Sequence, residues 1–252
     1  AFRGGALSSQ LLMKTDIGTV VWTYAAVSQL VDSQISVTDF RHRVLYQSVA
    51  IEVDIQGLLE MLQSGLPVTS QDTVHTSVVD DAGCGCSITM SAGYGSGAIP
   101  PGTGCWLNNS LGELELSAGS LKIVPPGTRL TSNMAPAVAR KPDGTVLAAG
   151  SPGASRITTA MLQALVNFVH FGMSLEESVA HPRVHVETSP DGYRAAFEKG
   201  LPMDEVDLPT RPYDNKSMFF GGVSAAEWSP ARGFEVAGDP RRQGGTAIYR
   251  AG

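Results

Sequence analysis

Cysteine is scarce in this sequence, and its arrangement excludes two common roles. Cys84, Cys86 and Cys105 are an odd number among 252 residues and show neither a CxxC redox pair nor zinc-type spacing. Cys84 and Cys86 flank Gly85, share one face of an expected strand, and are read as reduced, buried thiols. Long apolar runs are missing as well; none approaches the roughly 18 residues that a membrane helix requires. The opening Ala1–Phe2–Arg3–Gly4–Gly5 has no secretory pattern, although a leader already removed would leave none. Cytoplasmic, periplasmic and extracellular locations all stay open. There is no long basic run, and the net charge is −6, which argues against a nucleic-acid partner. Nor is there a period of about 20 to 50 residues, so the chain is not a repeat array. What is present is ordinary: 42% hydrophobic and 17% charged residues, enough chain for one large domain or two small ones around a substantial core.

Residues 20–31 alternate weakly and fit a buried strand or a short helix equally. Thr38 can cap a helix in which Val44, Leu45, Val49, Ile55, Leu59 and Leu62 recur near helical spacing, with Gly65 and Pro67 ending it. Residues 68–72 are a polar connector. Then comes Thr73–Val74–His75–Thr76–Ser77–Val78–Val79–Asp80, an alternating strand with a turn at Asp81–Ala82–Gly83 and a return over residues 86–90. Residues 91–104 are too rich in Gly and Pro for a regular element, and Trp106–Leu107–Asn108–Asn109 fits a short strand. Asp143–Gly144 marks a hairpin turn between residues 137–140 and 145–149. A tight Gly–Pro loop then opens a helix with Met161, Leu162, Leu165, Val166 and Val169 on one stripe. Ser174–Leu175–Glu176–Glu177 is a capping box for a second helix. Strands are expected at residues 184–187, 194–198, 219–226 and 247–249. Two strand-rich blocks around a helix pair predict an α+β fold of stacked antiparallel sheets with helices outside.

Chemistry centres on Thr73. If the bond before it were cut, one residue would carry both a hydroxyl nucleophile and a free α-amine to serve as its base. Such an amine is uncharged near neutrality far more readily than a lysine, titrating at about 7.7–8.0 against about 10.4. Gly150–Ser151–Pro152–Gly153–Ala154 is a strand-to-helix turn whose N–H groups suit an oxyanion. Loops carrying Ser110 with Glu113, and Thr131 with Ser132, offer hydroxyls and a carboxylate for a substrate with charged ends. Each piece alone also has a purely structural explanation, as a turn, a cap or a solvated charge.

The order of these pieces is more specific. Thr73–Val74–His75–Thr76–Ser77–Val78–Val79–Asp80, Gly95–Ser96–Gly97, Leu107–Asn108–Asn109, Leu130–Thr131–Ser132–Asn133–Met134–Ala135–Pro136, Gly150–Ser151–Pro152–Gly153–Ala154–Ser155–Arg156–Ile157, Phe219–Phe220–Gly221–Gly222–Val223 and Asp239–Pro240–Arg241–Arg242 occur in sequence. Together they resemble the small, catalytic subunit of γ-glutamyltranspeptidases, within the N-terminal-nucleophile hydrolases. The resemblance implies a four-layer αββα sandwich. It implies residues 1–72 as a mostly helical remnant of the large-subunit region and residues 73–252 as the catalytic region. A zymogen cut at Asp72–Thr73 would free Thr73, which would attack a γ-glutamyl amide such as glutathione and pass the acyl group to water or an amino acid. By the same resemblance Ser91 orients the nucleophile, and the N–H groups of Gly153 and Ala154 hold the oxyanion. Thr131 and Ser132 take the α-carboxylate, Glu113 takes the α-amine, and Ser110 also faces the substrate. No metal or organic cofactor is implied, and the two fragments are expected to stay associated.

The sequence also departs from the family. It is about two residues shorter between Ser91 and Tyr94, and an asparagine that helps hold the glutamyl amine has no counterpart. Ser110 stands where glutamine or glutamate is common, Glu113 where aspartate is usual, and Val74 where a second threonine is. The large-subunit arginine that grips the carboxylate cannot be located in residues 1–72. Two alternatives therefore accompany the γ-glutamyl reading: a related amidohydrolase (an acylase or poly-γ-glutamate hydrolase), and an inactive, uncleaved light-chain-like binding protein.

Overall fold

The structure, a computed structural model, describes residues 21–40, 73–93, 95–113, 125–127, 132–189 and 192–249. The apolar positions Val44 to Leu62 of the helix expected after Thr38 lie outside them, as does Thr131.

Of the two alternatives for residues 20–31, helix holds from Tyr24 on. Helix α1 (Tyr24–Phe40) begins at Thr23, whose Oγ1 accepts the Ala26 N–H at 3.2 Å and so meets one of the donors a helix start leaves open. Thr38, expected to open a helix, instead sits in the last turn of this one, its hydroxyl donating to the Gln34 carbonyl at 2.8 Å.

Strands β1 (Thr73–Val79) and β2 (Gly85–Ser91) form an antiparallel hairpin in which Thr73 faces Ser91 and Val79 faces Gly85. Its turn is held by Asp80, whose Oδ1 accepts the Cys84 N–H at 2.7 Å. A second sheet is antiparallel throughout, in the order β3 (Ala137–Arg140), β4 (Val146–Gly150), β8 (Ser224–Ser229), β9 (Gly233–Gly238). Every residue of β4 is buried, because the strand is covered on both faces. Val146 and Gly150 meet the hairpin, while Leu147 and Ala149 join a core with Ala160, Met161, Leu175, Val179, Val223 and Ala225. That core is built with helices α2 (Ile157–Leu165) and α3 (Leu175–Ala180). Hairpin, sheet and helices are thus three successive layers of an α+β fold.

A π-helical turn (Val166–His170) extends α2, and Ser174 and Glu177 make the expected capping box on α3. The third sheet joins β5 (Val184–Ser189), β6 (Gly192–Glu198) and β7 (Thr210–Tyr213). β6 and β7 run parallel, which the expectation of antiparallel sheets did not include. Helix α1 packs here: Ala26, Val27, Leu30 and Val31 share a core with Val184, Val186 and Ala195. Two glutamines serve the backbone of β5. Gln163 donates to the Val184 carbonyl and accepts its N–H, both at 2.9 Å, and Gln34 accepts the Val186 N–H at 2.8 Å. Buried peptide groups left without partners would cost more than these side-chain bonds do.

Several expectations are corrected. Cys84, Cys86 and Cys105 are exposed, because the first two lie on the outer face of the hairpin and the third on a loop. Residues 247–249 form no strand, and Phe219 belongs to a 3-10 turn (Met218–Phe220) ahead of β8. Trp106–Leu107–Asn108–Asn109 is not a strand either. Its backbone instead closes the 92–109 loop on itself, Leu107 donating to Ala98 at 3.0 Å and Asn109 to Ala92 at 3.3 Å.

Candidate active site

The hairpin lies along β4 with a definite polarity. Its turn is at the Arg140 end, where Arg140 Nη2 donates to the Gly83 carbonyl at 2.7 Å. Its open end, with Thr73 and Ser91, lies beyond His75, whose ring sits against Gly150. The chain leaves β4 at this end into the 151–154 turn. It enters β3 at the same end, since Ala137 pairs with Ala149. Three segments therefore converge: the start of β1, the turn after β4 and the approach to β3.

Thr73 is buried, and its Oγ1 lies 2.9 Å from Ser91 Oγ. Ser91 Oγ accepts the Gly93 N–H at 3.0 Å, which leaves its own proton for the Thr73 oxygen. A hydroxyl pair across a strand rung is a suitable way to aim a nucleophile. Next to it, a methyl group on Gly93 would fall 2.0 Å from Glu113 Oε1 and 2.2 Å from Asn109 Oδ1. The loop carrying Glu113 is therefore folded against the residue that holds Ser91.

In the turn after β4, Gly153 has φ of 138° and Ala154 φ of 52°, both in the region that L side chains rarely adopt. Among the described residues no backbone carbonyl takes either N–H. A methyl on Gly153 would lie 2.7 Å from the Gly221 Cα, so the turn is moulded on the 219–222 segment. Gly222 N–H donates to Ser151 Oγ at 3.0 Å, and Ser151 Oγ in turn donates to the Pro152 carbonyl at 2.6 Å.

Behind that segment lies a buried ion cluster. Arg183 donates to Asp239 Oδ2 at 2.7 Å and to the Phe220 carbonyl at 3.0 Å, while Asp239 Oδ2 also accepts the Val223 N–H at 2.8 Å. Arg241 binds both Glu198 and Asp239. Burial pushes the Asp239 carboxyl upward, but the Arg183 and Arg241 guanidiniums beside it prevail and hold it below the usual range. The Asp239–Pro240–Arg241–Arg242 motif thus braces the floor of the turn.

The remaining residues singled out in the sequence are less directly placed. Ser132 Oγ accepts the Met134 N–H at 3.1 Å, a local turn at the approach to β3. Ser110 starts a 3-10 turn (Ser110–Gly112), with its N–H held by Asn108 Oδ1 at 3.0 Å. Two residues were overlooked. Asn133 is buried at 7% exposure, and its Nδ2 has no hydrogen-bond partner among the described residues. His75 is half-buried between the hairpin and β4, and desolvation lowers its pKa to about 4. Its place two residues from Thr73, on the same face of an alternating strand, was the available signal.

Comparison with known proteins shows the family of the chain. The family model described as Gamma-glutamyltranspeptidase matches residues 21–249. A glutathione hydrolase proenzyme from Pseudomonas sp. (strain A14) is 32% identical over 222 residues, covering 79% of this chain and 39% of that protein. Acylase ACY 1 proenzyme from Pseudomonas sp. (strain V22) is 33% identical over 178 residues, covering 70% of this chain and 28% of the relative. The chain therefore spans well under half the length of the curated relatives it matches. Among solved structures, γ-glutamyltranspeptidase from Pseudomonas nitroreducens complexed with L-DON aligns with a TM-score of 0.56 at 27% identity, over 70% of this chain and 99% of that one. A match that takes in α1, the hairpin, both later sheets and the 239–242 brace shows that this chain belongs to the γ-glutamyltranspeptidase family.

Proposed function

We propose that the chain is the catalytic part of an autoprocessed γ-glutamyl hydrolase or transferase with Thr73 as nucleophile. The observation that carries this is the buried Thr73 hydroxyl at the first position of β1, 2.9 Å from Ser91 Oγ. In processing, the Thr73 hydroxyl attacks the Asp72 carbonyl, the acyl group moves from nitrogen to oxygen, and water hydrolyses the ester. The freed α-amine then serves as base while Thr73 attacks the γ-glutamyl amide carbon. The amine carries the proton to the leaving nitrogen, and water or an amino acid takes the acyl group. Oxyanion stabilisation falls to the N–H groups of Gly153 and Ala154. The substrate's α-amine falls to Glu113, and its α-carboxylate to Thr131, Ser132 and, from its unpaired buried amide, Asn133. Ser110 is a further contact on the Glu113 loop.

Two finer structural points belong to the same reading. Val74, Val78, Ile88 and Met90 on the outer face of the hairpin are 49–59% exposed, which supports a fourth, helical layer over it and hence the αββα sandwich. Residues 1–72 and 73–252 would remain associated after cleavage, because α1 shares its core with β5 and β6 on the other side of the cut.

The test is intact mass with N-terminal sequencing of the protein and of Thr73→Ala. We expect a fragment beginning at Thr73 from the first and an uncut chain from the second; two uncut chains would remove the enzyme reading. The acylase relative favours one alternative, hydrolysis of an acyl group without the free amine. Nitroaniline released from a glutaryl but not a γ-glutamyl anilide would select it.

A further inference from the structure

The inner face of the hairpin is polar at three successive rungs: Thr73 with Ser91, His75 with Thr89, and Ser77 with Ser87. A face turned toward a packed sheet is ordinarily apolar. Here each hydroxyl has a defined use. Ser77 Oγ donates to the Ser224 carbonyl at 3.2 Å and Ser87 Oγ to the Ala149 carbonyl at 2.8 Å, so the hairpin is bonded to both central strands of the sheet.

These bonds also determine the state of His75. Its Nε2 lies 2.7 Å from Ser77 Oγ, and its Nδ1 lies 2.7 Å from Thr89 Oγ1. A serine hydroxyl has one proton, and that of Ser77 is already given to Ser224. With the Ser77 proton on the Ser224 carbonyl, the matching tautomer has the imidazole proton on Nε2, donated to Ser77, and Nδ1 accepting from Thr89. With both nitrogens engaged, the ring is not a base for Thr73.

Its position has a different consequence. A methyl group on Gly150 would lie 2.1 Å from His75 Cε1, 2.4 Å from Nδ1 and 2.6 Å from Nε2. The ring occupies the space that any side chain at residue 150 would need. Two residues back along β1, about 7 Å, is Thr73; directly after Gly150 begins the turn with the Gly153 and Ala154 N–H groups. We propose that His75 is a positioning residue that keys the nucleophile strand to the oxyanion turn by filling the hollow over Gly150. It thereby sets the separation between the Thr73 hydroxyl and the two N–H groups. This inference rests on the γ-glutamyl reading for its chemical consequence, but the interlock itself does not.

The experiment uses the full chain as wild type, Gly150→Ala, His75→Ser, His75→Gln, and the double variant Gly150→Ala/His75→Ser. Release of nitroaniline from γ-glutamyl-p-nitroanilide gives kcat and KM, and thermal unfolding is followed on the same samples. Gly150→Ala should lower kcat by about a hundredfold, as a misplacement of about 1 Å does, with KM nearly unchanged. The double variant should recover kcat and melting temperature above Gly150→Ala alone, because the smaller side chain vacates the hollow. His75→Gln, which keeps a donor for Ser77, should retain more kcat than His75→Ser. A Gly150→Ala protein as active as wild type, multiplying losses in the double variant, or an effect confined to KM would overturn the proposal. If wild type itself releases no nitroaniline, the γ-glutamyl reading fails separately. Melting temperatures then decide the interlock: recovery in the double variant supports it, and no recovery overturns it.

Discussion

Thr73 and Ser91 are the last cross-strand pair of the first hairpin, and their hydroxyl oxygens meet at 2.9 Å. Removing the Ser91 hydroxyl takes away both this contact and the acceptor of the Gly93 N–H. Ser91→Ala should slow chain cleavage and lower kcat by about ten- to a hundredfold, while Ser91→Thr, which keeps the oxygen, should retain most of both. Cleavage rates of freshly purified precursor and steady-state kinetics check this.

The turn after β4 contains two residues of opposite expected behaviour. Gly153→Ala must place a methyl 2.7 Å from the Gly221 Cα at a φ of 138°, and should cost about 2–4 kcal/mol. Ala154 already has a φ of 52°, so Ala154→Gly should stabilise by about 0.5–1 kcal/mol. Urea unfolding of both variants measures the difference.

Asp239 neutralises a guanidinium that is 2% exposed. Asp239→Asn leaves Arg183 buried without its counter-charge and should cost about 3–5 kcal/mol. Because the folded carboxyl titrates below its usual range, the stability it contributes is present at neutral pH and is lost as pH falls through that depressed value. Acid unfolding should therefore shift to higher pH in the variant.

His75 supplies a pH dependence of its own. Its pKa is lowered from 6.5 to about 4 by burial, so below pH 6.5 the unfolded chain binds a proton that the folded chain refuses. Stability should fall as pH drops from 6.5 towards 4, by an amount on the order of 2 kcal/mol after solvent screening. His75→Gln should flatten that part of the curve, which denaturant titrations at a series of pH values will show.

Asn133 separates function from stability. Its buried Nδ2 is unpaired among the described residues, so Asn133→Leu should leave stability equal or improved. If the amide serves a substrate carboxylate, KM for a γ-glutamyl anilide should rise by about tenfold or more, since a charged hydrogen bond is worth about 1.5–3 kcal/mol. Unfolding and kinetics on one preparation test both halves.

Elements whose causes are local were legible in the sequence. Alternation from Thr73 to Val79, Asp143–Gly144 between two apolar runs, and Ser174 three residues before Glu177 each specify their structure through nearest-neighbour sterics and hydrogen bonds. It also placed Thr73 at the head of a strand and Gly153–Ala154 at the mouth of a helix, and the order of motifs pointed to the family. Tertiary structure decided what depends on partners distant in the chain. Pro212 concealed β7, which among the described residues pairs with β6, and the choice of helix from Tyr24 on was made by a core that α1 shares with Val184, Val186 and Ala195. Cys84 and Cys86 came out exposed because the hairpin turns its hydroxyls and His75, not most of its apolar side chains, toward the sheet. No sequence period announces that inversion. It arises because Ser77, Ser87 and His75 find carbonyls and a glycine hollow on β4 and β8, some 60 to 150 residues away.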